Sequence, residues 1–204
     1  MVLGHMKLYR KWKDRWATGL KKRRFRRLME LAPKPEGRPM RVLEVGCGNG
    51  KDMMQFMSDA SKYQLWGADV RYQGFTQDNF TFCQADGENL PFPDKQFDLV
   101  LTVGVLEHIE PMEKLCRMIR EMDRVGEHLI SVVPCVSTFV EPHCGGIRWP
   151  LKLHPQYMGE QPGIPLHLNF FSDHTWTKFE GFADCKIKRF FYLPPFIRNT
   201  VIYR

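Results

Sequence analysis

The chain has 204 residues, of which 43% are apolar and 26% are charged, and its formal net charge is +7. This length fits one domain, and the composition excludes a wholly disordered chain. No stretch approaches the ~18 consecutive apolar residues of a membrane-spanning helix, and the start lacks the apolar core of a signal peptide. We therefore expect a cytoplasmic location.

The positive charge is concentrated near the N-terminus. Residues 7–27 contain eleven Lys or Arg and one Asp, a net charge of +10, so the rest of the chain carries −3. Apolar residues in this segment recur at helical spacing and predict a helix, namely Leu8, Trp12, Trp16 and Leu20. We therefore expect a basic helical arm over residues 1–37, followed by the single domain over residues 38–204.

Within residues 38–204, patterns typical of strands alternate with patterns typical of helices. Strands are predicted, in chain order, over residues 41–45, 64–69, 80–84, 97–103 and 127–133, and near 185–191 and 199–203. Helices are predicted over residues 51–60, 111–124 and 174–180, whereas residues 70–79 are only weakly helical. This alternation predicts an α/β fold with a doubly wound, mostly parallel sheet. Residues 193–204 are short for a closing hairpin, so we expect the sheet to end early or to borrow a strand from a partner chain.

Several strands end in residues suited to binding a ligand. A glycine-rich turn over residues 46–50 follows the first strand, Asp69 ends the second, Asp86 follows the third and Gly104 follows the fourth. Ligands of open α/β sheets bind beyond the carboxyl ends of the strands. Glycine also allows the backbone to approach a bound molecule closely. These segments therefore predict one crevice that binds a nucleotide-like cofactor.

The turn sequence Glu-Val-Gly-Cys-Gly-Asn-Gly at residues 44–50 resembles motif I of class I S-adenosylmethionine-dependent methyltransferases. Segments 64–69, 85–92 and 97–109 follow in the order of that family, and 167–172 resembles its last third. The resemblance covers roughly residues 40–133. It implies a Rossmann-like class I methyltransferase fold, S-adenosylmethionine as the cofactor, and methyl transfer as the activity.

The resemblance also implies roles for individual residues. The glycines would cradle the methionine part of the cofactor, while Glu44 organises the loop or accepts from the amino group. Asp69 would hold the ribose hydroxyls, and Asp86 would accept from the adenine amino group. The expected cofactor-binding residues are Glu44, Gly46, Cys47, Gly48, Gly50, Asp69, Val70, Asp86, Gly87, Glu88, Val103 and Gly104. The alternatives are a structural turn for the glycines, a loop acid, helix cap or turn acid for the aspartates, and core packing for Val103 and Gly104.

Two histidines are the catalytic candidates, as general base or substrate ligand. His108 follows the fourth strand, close to the expected position of the methyl group, and His143 lies in the segment after the fifth strand. His154, His167 and Glu107 are lesser candidates, and a structural role is the alternative for each. None of the six cysteines forms a Cys-x-x-Cys pair, so no metal site is expected.

The segment 134–169 contains six prolines and several aromatic residues. A long irregular stretch in a compact domain is usually functional or disordered, so we interpret it as a substrate lid, with a surface loop as the alternative. The basic arm leaves several interpretations open. In the first, the arm packs on the domain beside the cofactor through Trp12 and Trp16. In the second it binds RNA phosphates, and in the third it lies on an anionic membrane surface. In the fourth it is simply a solvated helix.

Three functions are therefore considered. The first is methyl transfer to oxygen or nitrogen of a small molecule, a sugar or a lipid-linked glycan. The second is RNA-directed methylation, because the glycine loop is similar to that of wobble-uridine tRNA methyltransferases. The third is a cofactor-binding scaffold without catalysis. The chain has no Asn-Pro-Pro-Tyr or Asp-Pro-Pro-Tyr string after the fourth strand, which argues against adenine-N6 methylation.

Overall fold

The computed structural model describes residues 18–71, 79–135, 140–141, 146–147, 169, 171–193 and 197–204. The helices are α1 over residues 18–29, α2 Lys51–Phe56, α3 Met112–Val125 and α4 Asp173–Trp176, with 3₁₀ turns at Leu106–His108 and Glu180–Phe182. The strands are β1 Met40–Val45, β2 Tyr63–Asp69, β3 Phe80–Gln84, β4 Phe97–Val103, β5 Gly126–Pro134, β6 Val140–Glu141, β7 Gly146–Ile147, β8 Lys186–Leu193 and β9 Ile197–Tyr203. None of the helices in these ranges is long and apolar enough to cross a membrane.

Seven strands form the main sheet, in the order β3-β2-β1-β4-β5-β9-β8. Strands β1 to β5 pair in parallel, whereas β9 is antiparallel to both β5 and β8. The predicted α/β fold with a mostly parallel sheet is confirmed. The expectation that the sheet ends early is wrong, because β8 and β9 form a complete closing hairpin within this chain.

Helices cover both faces of the sheet and create two apolar cores. Strand β4 is buried along almost its whole length, and its side chains contribute to the cores on both faces. Phe97 and Val100 point to the core with α3, while Leu99 and Leu101 point to the core with α1 and α2. A strand buried on both faces has a continuous apolar sequence, which is why β4 was recognisable.

Helix α2 is shorter than predicted, since it ends at Phe56 and not at residue 60. The Asp59 carboxylate accepts hydrogen bonds from the backbone N–H of Ser61 at 3.1 Å and from its hydroxyl at 2.5 Å. This side-chain turn competes with helical hydrogen bonding and ends the helix before β2. The C-terminal helix is likewise a shorter α4 followed by a 3₁₀ turn.

Part of the predicted arm is helix α1, which buries Phe25 and Leu28 in the core against the sheet. Leu8, Trp12 and Trp16 lie outside the described residues, as do residues 72–78 of the weakly helical connection and most of the predicted lid at 134–169. The lid and the division into an arm (residues 1–37) and a domain (residues 38–204) therefore stay predictions.

Candidate active site

The glycine turn after β1 adopts left-handed backbone conformations, with φ of 76° at Gly46 and 55° at Gly48. A Cβ on Gly46 would lie 2.5 Å from a methyl carbon of Val105, so packing against the loop after β4 requires glycine there. A Cβ on Gly48 would meet no atom within 4 Å. Gly46 therefore closes the turn against the protein, while Gly48 leaves open space above its backbone.

Two cavities lie on either side of this turn. The polar cavity has a volume of about 380 Å³ and is lined by Lys21, Arg24, Glu44, Gly46, Cys47, Gly48, Asn49, Asp52 and Val103. The apolar cavity has a volume of about 190 Å³ and is lined by Val45, Gly46, Ala68, Asp69, Val70, Ala85, Asp86, Gly87, Val105, Ile109, Lys114 and Met118. The four predicted strand ends therefore converge on one crevice, at the edge expected for an α/β sheet.

Asp69 lines the apolar cavity at the end of β2, and it is hydrogen-bonded to Gly48, which lines the polar cavity. Its Oδ2 accepts from the backbone N–H of Gly48 at 2.8 Å, and its Oδ1 accepts from that of Arg71 at 3.0 Å. The ionised carboxylate has about four acceptor positions, so these two bonds leave capacity for ligand hydroxyl groups. Asp69 thus fixes the glycine turn and presents acceptor oxygens to the crevice.

Asp86 lines the apolar cavity and is bound by a lysine that the sequence did not indicate. Its Oδ2 accepts from Lys114 Nζ at 2.5 Å, and its Oδ1 accepts from the Glu88 backbone N–H at 3.3 Å. Partial burial opposes the charge, but the bond from Lys114 holds the pKa of Asp86 below its ordinary value. Glu88 does not line the cavity, and its side chain pairs with Arg117 at 2.7 Å and with Lys114 at 3.7 Å. Val70 lines the same cavity at its edge, where it is 55% exposed.

Glu44 is a buried carboxyl group in the polar cavity, with 6% of its surface exposed. Burial raises its pKa to about 8, and the charges of Asp52 and Asp69 add to this effect, whereas Arg24 opposes it. Burial also raises the pKa of the Cys47 thiol to about 12. Cys47 is therefore a neutral thiol near pH 7 and a poor nucleophile.

Helix α1 contributes two cations to the polar cavity, Lys21 and Arg24, which sequence reasoning missed. Lys21 Nζ lies 2.9 Å from a carboxylate oxygen of Asp52 on α2. Lys21 and Arg24 are three residues apart, and Phe25 and Leu28 continue the same side of the helix. This spacing was the available signal, although it does not reveal what the helix packs against.

Asn169 is a second residue with an unrecognised role, and its surface is 1% exposed. Its Nδ2 donates to the carbonyl oxygens of Leu106 at 3.0 Å and Ile109 at 2.8 Å. Its backbone N–H donates to the carbonyl oxygen of Glu107 at 2.6 Å. Asn169 thereby fixes the loop after β4, whose residues Val105 and Ile109 line the apolar cavity. No local sequence signal connects it to a loop 60 residues away.

The remaining predicted site residues have different placements. Val103 lines the polar cavity, and Gly104 has φ of 71° while its N–H donates to the Val132 carbonyl at 3.0 Å. His108 is half-buried in the 3₁₀ turn and does not line either cavity. The other catalytic candidates, His143, His154 and His167, lie outside the described residues. The catalytic roles therefore stay predictions.

A family model described as a methyltransferase domain matches residues 15–179 of this chain. The chain belongs to this methyltransferase family. The resemblance and the fold class are confirmed, and the cofactor of the methyltransferase domain is S-adenosylmethionine. Methyltransferase relatives likewise support an enzyme.

Three known proteins illustrate the similarity. Ajmaline N-methyltransferase from Rauvolfia serpentina is 32% identical over 117 residues, which cover 51% of this chain and 38% of that protein. Probable tRNA methyltransferase 9B from Bos taurus is 30% identical over 71% of this chain and 36% of its own length. The structure of Burkholderia thailandensis 1,6-didemethyltoxoflavin-N1-methyltransferase aligns with a TM-score of 0.61 and 15% identity, over 99% of this chain and 83% of that one. The chain thus spans less than two-fifths of the length of these two curated relatives.

The charges in the methyltransferase domain fit this cofactor. S-adenosylmethionine carries a positive sulfonium, an amino group, a carboxylate and an apolar adenine. The polar cavity provides the acids Glu44 and Asp52 and the cations Lys21 and Arg24, while the apolar cavity is bordered by Val70. Among the residues that the structure describes, no group of three or more His, Cys, Asp or Glu side chains could hold a metal ion.

Proposed function

We propose that this domain transfers the methyl group of S-adenosylmethionine to a nitrogen or oxygen atom of a small molecule. The observation that carries the proposal is the pair of cavities, one polar and one apolar, that meet at Gly46 beside the open backbone of Gly48. The relative that methylates a nitrogen of ajmaline supports a small-molecule acceptor. A sugar or a lipid-linked glycan remains within this acceptor class.

The arrangement of the two cavities supports the cofactor roles that the resemblance implies. Glu44 accepts from the amino group in the polar cavity, and the backbone of Gly48 leaves room for the methionine chain. Asp69 accepts from the ribose hydroxyls, because it contributes to the apolar cavity and is bonded to Gly48. Val70 packs against adenine, and Asp86 accepts from its amino group while sharing its charge with Lys114. The sulfonium supplies an activated methyl group when the cofactor is bound.

The protein's contribution to the reaction is then mainly positioning of the acceptor. Asn169 holds the loop after β4, which borders the apolar cavity, in one conformation. His143 and His108 stay candidates for the group that takes a proton from the acceptor. The segment 134–169 stays the predicted substrate lid, and a cytoplasmic location also stays a prediction.

An RNA acceptor is the second candidate. The similarity to the bovine probable tRNA methyltransferase covers 71% of this chain, and α1 has exposed cations at Lys22, Arg23 and Arg26. Basic side chains of this kind bind phosphates in a manner that depends on salt. Contact with an anionic membrane surface is a further use of the same cations.

Binding of S-adenosylhomocysteine, measured by calorimetry, tests the cofactor site. Asp69→Ala should weaken binding more than about tenfold, because a hydrogen bond to a charged group contributes about 1.5–3 kcal/mol. Asp184→Ala, which removes an exposed acid from the turn before β8, is the matched control and should leave affinity unchanged. Equal affinities for the Asp69 variant and the native protein would contradict this assignment.

Radiolabelled methyl transfer tests the acceptor class. The protein is supplied with labelled S-adenosylmethionine and either a small-molecule extract or bulk tRNA, with Asp69→Ala as the negative control. We expect label in the extract. Label in tRNA alone would overturn the small-molecule proposal, and label in neither, with cofactor binding intact, would favour a scaffold.

A further inference from the structure

Helix α1 is fixed against the domain so that one of its faces borders the polar cavity. Phe25 is 2% exposed and Leu28 is fully buried, and both belong to the core that also contains Met53 of α2 and Leu101 of β4. Arg24, adjacent to Phe25, lines the polar cavity. A basic helix that borders a cofactor cavity can contribute to the binding of an anionic group.

Arg24 is suited to this because it is placed deep in the cavity. Burial lowers its pKa, whereas the nearby charges of Asp52, Glu44 and Glu107 oppose that effect. A guanidinium has five N–H donors in a fixed planar arrangement, so it can keep its protein contacts and also bind a carboxylate through two parallel bonds. Lys21 is less suited, because its ammonium is a single charged centre without the planar pair of donors that a guanidinium offers to a carboxylate.

The other charges in the cavity determine which ligand group Arg24 would meet. Glu44 and Arg24 line the same cavity, where Glu44 has a carboxyl oxygen that accepts hydrogen bonds and Arg24 has only donors. The methionine part of the cofactor also has two opposite charges, on its amino and carboxylate groups. With Glu44 accepting from the amino group, as in the proposed function on which this inference rests, the carboxylate requires a cation. Arg24 is the cation in the cavity that can supply a bidentate contact.

We propose that Arg24 binds the α-carboxylate of the cofactor and that helix α1 thereby forms one wall of the cofactor site. Specificity for the intact amino acid part of the cofactor then depends on this helix, which lies before motif I in the sequence. The inference concerns binding, so it is tested without measuring methyl transfer.

The test compares two ligands that differ in one group. S-adenosylhomocysteine has the carboxylate, and 5′-(3-aminopropylthio)-5′-deoxyadenosine lacks only the carboxylate and keeps the amino group. Calorimetry gives the ratio of their affinities for the native protein, Arg24→Ala and Arg26→Ala. Arg26 is an exposed cation on the same helix and does not line the polar cavity, so it is a matched control for charge.

We expect the native protein and Arg26→Ala to bind S-adenosylhomocysteine at least about tenfold more tightly than the ligand without the carboxylate. A factor of this size corresponds to the loss of one hydrogen bond between charged groups. Arg24→Ala should reduce this preference to nearly one, with little change in affinity for the ligand that lacks the carboxylate. Equal weakening of both ligands by Arg24→Ala, or an unchanged preference, would overturn the inference.

Folding is checked by thermal unfolding of each variant. Should Arg24→Ala fail to unfold cooperatively, Arg24→Gln keeps much of the side-chain volume, and its affinity ratio decides the question. Failure of the native protein to bind S-adenosylhomocysteine would instead refute the proposed function. The two failures are therefore distinguishable.

Discussion

Glu44 should make the protein less stable as the pH rises, and Glu44→Gln should remove this dependence. Burial raises the pKa of Glu44 from its ordinary value of 4.5 to about 8, with the charges of Asp52 and Asp69 adding to the effect. Between these two values the folded state holds a proton that the unfolded state releases. The free energy of unfolding therefore falls as the pH rises through this window.

The size of the effect follows from the two pKa values, which differ by about 3.5. Each pKa unit corresponds to about 1.4 kcal/mol, so ionisation of Glu44 removes about 5 kcal/mol of stability between pH 4.5 and pH 8. Below pH 4.5 both states hold the proton, and above pH 8 both have lost it, so the slope from this group vanishes on either side.

Urea unfolding of the cofactor-free protein measures this slope. The free energy of unfolding of Glu44→Gln, minus that of the native protein, should increase by about 4 kcal/mol from pH 5 to pH 8. Other titrating groups affect both proteins alike, and a packing difference would shift the comparison equally at every pH. Parallel pH profiles for the two proteins would refute the assignment of a raised pKa to Glu44.

Three further predictions concern the turn, the base of the sheet and the loop after β4. Gly46→Ala should lower stability by about 2–5 kcal/mol in urea unfolding, because its Cβ collides with Val105, whereas Gly48→Ala should cost only about 1–2 kcal/mol yet weaken S-adenosylhomocysteine binding in calorimetry. Asp98→Asn should lower the free energy of unfolding by about 2–3 kcal/mol, because Arg38 and Arg41 bind this buried carboxylate. Although burial opposes the charge, these partners hold the pKa of Asp98 well below its ordinary range, so acid unfolding of the native protein below pH 4 should show a slope that the variant lacks. Asn169→Ala should cost about 2–4 kcal/mol and weaken S-adenosylhomocysteine binding, while Asn199→Ala, a matched control on β9, should leave binding unchanged.

The central strands and their ligand-binding ends were predictable because their signals are local. Strand β4 is an apolar run, and the glycine turn and Asp69 each follow a strand directly in the sequence. Their convergence on one crevice was predictable from the general rule that ligands of open α/β sheets bind beyond the carboxyl ends of the strands. The closing hairpin was predicted wrongly, because residues 193–204 were judged by length alone. Both of its strands had been predicted, near 185–191 and 199–203, and in the structure β8 begins at Lys186 and pairs with β9.

The rest of the site depends on tertiary contacts that have no local signature. Lys114 reaches Asp86 only because α3 packs across the loop after β3, and the two residues are 28 positions apart. Asn169 contacts a loop 60 positions away for the same reason. Helical periodicity predicted that α1 has an apolar face, yet only the packed structure shows that Arg24 borders a cavity. The sequence therefore identified the acceptors Asp69 and Asp86, whereas the cations Arg24 and Lys114 were recognisable only in the folded structure.

The positive charge of α1 has two separable parts. Arg24 borders the polar cavity, while Lys22, Arg23 and Arg26 are exposed. Loss of RNA binding in an Arg24 variant would be ambiguous, because the cofactor site would change as well. Neutralising the exposed cations avoids that ambiguity, since it leaves the cavity lining intact. The RNA hypothesis therefore depends on these exposed cations: tRNA retention should weaken with salt in the native protein and fall when Lys22, Arg23 and Arg26 are neutralised, while binding of S-adenosylhomocysteine remains unchanged.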